Sequence, residues 1–212
     1  MRSRSWRGTV RALTLAGAAA CASNTPPVDV GPVPADVDVV MSTRYYPVAA
    51  TTVQELRAEM SSSGPLAGDR RWAGATQART RWTFSYLRRG MVCMLHDVRV
   101  VVTAEIRLPR WEPEAMPDTE TLDWWRGFNA RLLEHERGHV KIAVDGAREI
   151  AAALRPLEGS VSCDALGMRA NGAAQLILVK ARERQAEYDR VTGHGATQPR
   201  DTTDSTDLSA GR

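Results

Sequence analysis

The chain has 212 residues, 43% of them hydrophobic, and a formal net charge of +3. That suffices for one domain with a packed core plus tails, and it excludes a chain disordered throughout. The four arginines Arg2, Arg4, Arg7 and Arg11 lie before residue 22 with no acidic residue among them; without them the charge falls from +3 to −1, which leaves no case for nucleic-acid binding.

Those arginines precede an apolar stretch, Ala12 to Ala20, broken only by Thr14 and Gly17. It is too short to span a bilayer, and residues 1–21 read as an export signal. Cleavage near Ala20 or Ala22 would release a soluble protein. The run from Leu15 to Cys21 also resembles a lipobox, departing from it at Ala18, and in that case Cys21 carries lipid and tethers the chain to a membrane. Either route makes the protein exported: periplasmic, an outer-surface lipoprotein, or secreted. Export implies an oxidising compartment, and once Cys21 is removed or acylated, Cys93 and Cys163 remain as a natural disulfide pair. Residues 22–36, rich in proline and small residues, read as a linker.

A single domain is expected over residues 37–196. Asp36 to Tyr46 is apolar and β-branched and predicts a strand. Thr52 and Glu55 form a capping box opening a short helix to about Ser61, followed by a loop from Ser61 to Gly68. Arg79 to Leu87 alternates, with Trp82, Phe84 and Tyr86 on one face. After the turn Arg88-Arg89-Gly90, the next strand runs from Val92 to Leu108 and is expected to stop at Pro109. A long helix opens at Pro117-Asp118-Thr119. Its apolar stripe (Leu122, Trp125, Phe128, Leu132, His135, His139, Ile142, Gly146, Ile150, Leu154) steps by three or four residues and ends before Pro156. A second helix is expected from Asp164 to Tyr188, and the polar residues 197–212 read as a disordered tail.

The chemistry sits on the long helix. His135-Glu136-Arg137-Gly138-His139 is an H-E-x-x-H pentad, whose two imidazoles lie one turn apart on one face and can grip a single zinc ion. Glu136 beside them is the expected general base toward a zinc-activated water. A catalytic zinc takes a third protein ligand. His194, flanked by Gly193 and Gly195, is preferred because imidazole is the commoner zinc ligand; Asp189 is the alternative. Tyr188 is a candidate donor to the oxyanion. Gly138, costly inside a helix by about 1 kcal/mol, suggests the close approach of another backbone. Trp124, Trp125 and Phe128 are expected in the core, and His96 away from any metal.

In order and spacing, Arg44-Tyr45-Tyr46-Pro47-Val48, Leu56-Arg57-Ala58, Cys93, Leu108-Pro109-Arg110-Trp111, Trp125 with the pentad, Cys163, and the segment from Tyr188-Asp189 through Thr192 to His194-Gly195 resemble a bacterial family of secreted zinc-dependent proteases within the zincin-like metallopeptidases. The resemblance covers about residues 37–198. It implies a small α+β zincin, an antiparallel or mixed sheet packed on the metal-binding helix and a second C-terminal helix. Zincins commonly lay peptide substrates along an edge strand, for which Val98 to Ile106 is a candidate. The expected function is hydrolysis of peptide bonds in a peptide or protein substrate. Hydrolysis of cell-envelope amides, or a non-catalytic envelope protein stabilised by zinc, are the alternatives.

Overall fold

Alternation places Val100, Val102, Ala104, Ile106 and Leu108 on one face of a long strand, β5 (Val92–Trp111), and all five are buried. In the computed structural model, which describes residues 28–198, this strand is the centre of a three-stranded sheet. On one side lies β1 (Val37–Val48), parallel to it from Val37 opposite Val100 to Val48 opposite Trp111. On the other lies β4 (Ala75–Arg89), antiparallel and joined through a two-residue turn in which Gly90 has φ +60°. The order is therefore β1-β5-β4. The expected edge strand is corrected: of Val98 to Ile106, the stretch from Val100 onward has a neighbour on both sides. Alternation reports which face of a strand is buried, not whether its edges are paired.

Pro109 does not end β5. The strand continues to Trp111, and Pro109 lies opposite Tyr46 of β1. Pairing with β4 begins only at Arg107, so beyond that point β5 has a partner on one side only, the edge setting in which proline is tolerated. Thr52 caps α1 (Val53–Ser63) by accepting from the Glu55 amide. The segment expected as a loop holds a small hairpin instead, β2 (Leu66–Ala67) with β3 (Arg70–Arg71), turned by Gly68 at φ +67°. Two-residue strands carry no periodicity to read. Strand β4 starts at Ala75, four residues before the alternating pattern does, because residues 75–78 are held by pairing with β5 rather than by their own character.

One face of the sheet is covered by α2 (Thr119–Leu154), capped by Asp118, whose carboxylate accepts from the Thr121 amide at 2.6 Å. Val140, Val144, Ala147, Ile150 and Leu154 meet the β5 residues in the main core. A smaller cluster of Val48, Leu56 and Met60 seats α1 against Trp111, Trp124, Trp125 and Phe128. The chain then reverses into α3 (Cys163–Thr192), which is capped by Ser162 and lies against α2. The two helices run antiparallel, with Gly146 beside Ala181 and His139 beside Gln185. A Cβ on Gly146 would stand 3.2 Å from that of Ala181, so small residues on both helices permit the close approach. This mixed sheet with one helix bearing the pentad and a second helix behind it is the expected α+β zincin-like arrangement.

The start of α3 is fixed twice. Cys93 and Cys163 are joined by a disulfide across 70 residues of sequence, and Cys93 and Ser160 exchange backbone hydrogen bonds. Part of the expected linker is also seated: Val28 is buried in the main core, and Arg148 donates to the carbonyls of Val30 and Pro32. The expected export signal with Cys21, and the expected tail beyond residue 198, lie outside the described residues. A bridge closing a loop of this size contributes about 4 kcal/mol by loop-closure entropy. Replacing Cys93 and Cys163 together by serine is expected to lower the unfolding free energy in urea by roughly 2–4 kcal/mol, and reduction of the unaltered protein by a similar amount.

Candidate metal centre

Two helices supply every donor. On α2, the one-turn spacing brings His135 Nε2 and His139 Nε2 to 3.1 Å of each other. On α3, Gln185, Tyr188, Asp189 and Thr192 follow the i, i+3, i+4, i+7 pattern of one helix face, and that face meets the pentad. Asp189 Oδ1 lies 3.2 Å from His135 Nε2 and 3.0 Å from His139 Nε2. The cluster of metal-binding geometry is therefore His135, His139 and Asp189.

The outer nitrogens of the two rings set their tautomers. Thr192 donates its hydroxyl proton to the Tyr188 carbonyl at 2.6 Å, so its oxygen is left to accept from His135 Nδ1–H at 3.2 Å. Gln185 donates from Nε2 to the His139 carbonyl at 2.8 Å, which turns its Oε1 onto His139 Nδ1–H. Both Nε2 lone pairs then point at one another and at a carboxylate oxygen. Three electron pairs sharing so small a space repel, and a cation among them removes the repulsion. The spacing suits one: donors at zinc's bond lengths of about 2.0–2.1 Å stand about 3.3 Å apart in a tetrahedral shell. Two imidazoles and one carboxylate are also a donor set of catalytic zinc sites. Burial, then the neighbouring His139, lowers the His135 pKa to about 4, which keeps the ring neutral as a ligand must be; Asp189 opposes that shift.

Glu136 is 3% exposed and is held from the sheet rather than from the helices. The Thr76 hydroxyl of β4 lies 2.7 Å from Oε2 and 3.1 Å from the Glu136 carbonyl. Gly74 leaves room for the other oxygen, since a Cβ there would stand 2.8 Å from Oε1. Burial raises the Glu136 pKa to about 7; the Thr76 hydrogen bond and then the neighbouring His139 oppose the rise, and Asp189 adds to it. The cluster and Glu136 open onto a cavity of about 510 Å³, walled by Trp72, Ala75 and Thr76 on one side and by Phe128 and Leu132 on the other.

The two candidates for the third donor are both present, in different places. Asp189 joins the histidines. His194 follows the left-handed Gly193, and its Nδ1 is 3.3 Å from Asp189 Oδ1, but its ring packs on Trp72 at 4.1 Å and stands outside the three-residue cluster. Gly195 lets that turn pass behind His135, where a Cβ would stand 3.0 Å from the His135 Cβ. Tyr188 does not line the cavity. Its ring stacks on His135 at 5.1 Å and 8°, meets His139 edge-on at 5.1 Å, and its hydroxyl donates to Gln198 at 3.1 Å. Its ring backs the two imidazoles. The phenol also accounts for Gly138: a Cβ there would overlap it, so the close approach is by a side chain and not by a second backbone. His96 is exposed beside Asp97, remote from the cluster.

Thr76, Gly74 and Gln185 are additions to the residues singled out from sequence. Gln185 was signalled only by its spacing to Asp189. Thr76 and Gly74 arrive through strand register and have no local mark. Over residues 43–195 the chain matches a family described as bacterial protein of unknown function (DUF922), and it belongs to that family. No curated protein and no solved structure matches the chain.

Metal content after dialysis is expected to be one equivalent per chain, lost in His139→Ala and Asp189→Ala and retained in His194→Ala. Gln185→Leu and Thr192→Val remove the partners of the Nδ1 atoms and are expected to weaken zinc affinity about 10–100-fold in a competitive chelator titration.

Proposed function

We propose that this member of the family is an exported zinc-dependent peptidase that cuts peptide bonds in a peptide or protein substrate, tethered to a membrane where Cys21 is acylated. One observation carries the reading. Three donors and a buried carboxylate converge at the wall of an open cavity, with room left beside them for water and a substrate carbonyl. A purely structural zinc site is closed by four protein ligands.

Zinc held by His135, His139 and Asp189 supplies Lewis acidity, lowering the pKa of water and polarising a carbonyl. The protein does the rest. Thr192 and Gln185 hold the imidazoles in one tautomer and aimed at the cluster, and Tyr188 stops their rings from turning away. Glu136 is the base. Thr76 occupies Oε2, so Oε1 is the oxygen that exchanges protons. With a cation held by the neighbouring donors, Glu136 would be ionised despite its burial and ready to take a proton. Water adds to the carbonyl carbon as its proton passes to Oε1. The C–N bond then breaks as that proton passes to the departing nitrogen.

Strand β4 offers the substrate a place. It is the strand at the cavity wall, through Ala75, Thr76 and Ala78, and among the described residues no strand pairs along its other side. An extended peptide can add there by backbone hydrogen bonds.

The zinc-loaded protein is expected to cleave internal bonds in a mixture of peptides from a denatured protein, read by mass spectrometry. Glu136→Gln should keep its zinc and lose roughly 10²–10⁴-fold in rate. Equal cleavage by the two proteins, or none by the unaltered one, contradicts the reading.

A further inference from the structure

A second cavity, of about 330 Å³, abuts the first and shares Phe128, Leu132 and His194 with it. Its lining contains two guanidinium groups, Arg57 from α1 and Arg131 from α2, and no carboxylate. Arg57 lies over the Trp124 ring at 5.3 Å, and Trp124 stacks on Phe128 at 4.9 Å and 10°. Among the described residues neither arginine forms an ion pair. Other arginines, such as Arg79 and Arg169, also lack an ion pair; what sets Arg57 and Arg131 apart is that they come from two helices to line one cavity. Two guanidinium groups from different elements lining one pocket beside aromatic walls are the donor chemistry that recognises a carboxylate.

We propose that this pocket is a specificity subsite for a substrate carboxylate, with Arg57 and Arg131 as its two arms. The inference rests on the peptidase reading and names the substrate class: peptides acidic near the cleaved bond. Position fits the role. Arg131 is four residues before His135, about 6 Å along the helix. An extended peptide advances about 3.3 Å per residue, so the carboxylate belongs to a residue about two places from the bond that is cut. The carboxylate can be an Asp or Glu side chain, or the chain's own C-terminus. The Arg57 guanidinium lies over the Trp124 ring, a contact that favours one placement of the cation, and Trp124 and Phe128 give the pocket apolar walls.

Binding can be measured without hydrolysis. Calorimetric titrations use the zinc-loaded Glu136→Gln protein with three N-acetylated pentapeptides: Ala-Ala-Asp-Ala-Ala with a C-terminal amide, the same amide with Asn for Asp, and the Asn peptide with a free C-terminus. The Asp peptide, the free-terminus peptide, or both should bind at least 5-fold more tightly than the neutral Asn amide, and which of them does identifies the source of the carboxylate. Adding Arg57→Gln and Arg131→Gln should erase that preference while zinc content and circular dichroism stay unchanged. Adding Arg57→Glu and Arg131→Glu instead should turn it toward a Lys-containing peptide, which a structural role for the arginines would not do. Equal binding of the three peptides, no binding of any, or a preference that survives the double Gln variant overturns the subsite. Failure of hydrolysis in the Glu136 protein with the carboxylate preference intact overturns the peptidase reading instead.

Discussion

The site depends on one contact between helices: Asp189 of α3 laid across the two imidazoles of α2. Nothing local to either helix provides it. On α2 alone, two neutral rings would present lone pairs 3.1 Å apart, an arrangement with no reason to persist. The antiparallel helix pair supplies three things together. Asp189 completes the donor set, Thr192 and Gln185 take the outer ring protons, and Tyr188 lies flat against His135. All four residues occupy one face of α3, so a shift of the helix pair by a single residue would disperse them. The disulfide at the start of α3 and the small residues Gly146 and Ala181 hold that register from a distance.

The sheet has a separate task. Glu136 belongs to the same pentad as the ligands yet turns away from α3, toward β4, where Thr76 and Gly74 receive its two oxygens. Metal-binding groups are thus fixed by the helix pair, and Glu136, the proposed base, by a strand. That separation lets the carboxylate stand beside the donors without becoming one of them. It also places β4 at once behind the base and along the cavity, so that a substrate laid on this strand would be indexed to the group that handles its proton.

Much of this was legible in the residues, and what was not has a common cause. The pentad, the β5 alternation, the Thr52 capping box and the Cys93–Cys163 pair are marks of local spacing or of scarcity. The pentad and its helix could be read because a 3.6-residue period needs no partner. The third donor could not be chosen that way. His194 and Asp189 are both near the end of α3, and imidazole chemistry favoured the histidine. Helix geometry decides for the aspartate, since residue 189 lies on the face that meets α2 whereas residue 194 lies past the left-handed Gly193. Tyr188, Thr76, Gly138 and the paired edges of β5 were obscure for the same reason: each gets its meaning from an element that is distant in sequence.

The site's chemistry therefore turns on which donors would surround a bound zinc ion. X-ray absorption at the zinc edge of the loaded, unaltered protein reads that shell directly. Two imidazole nitrogens with oxygen donors completing the shell, at about 2.0–2.1 Å, is the predicted spectrum. A third imidazole, which would put His194 in place of Asp189, or a hexahydrated ion with no imidazole scattering, would contradict it.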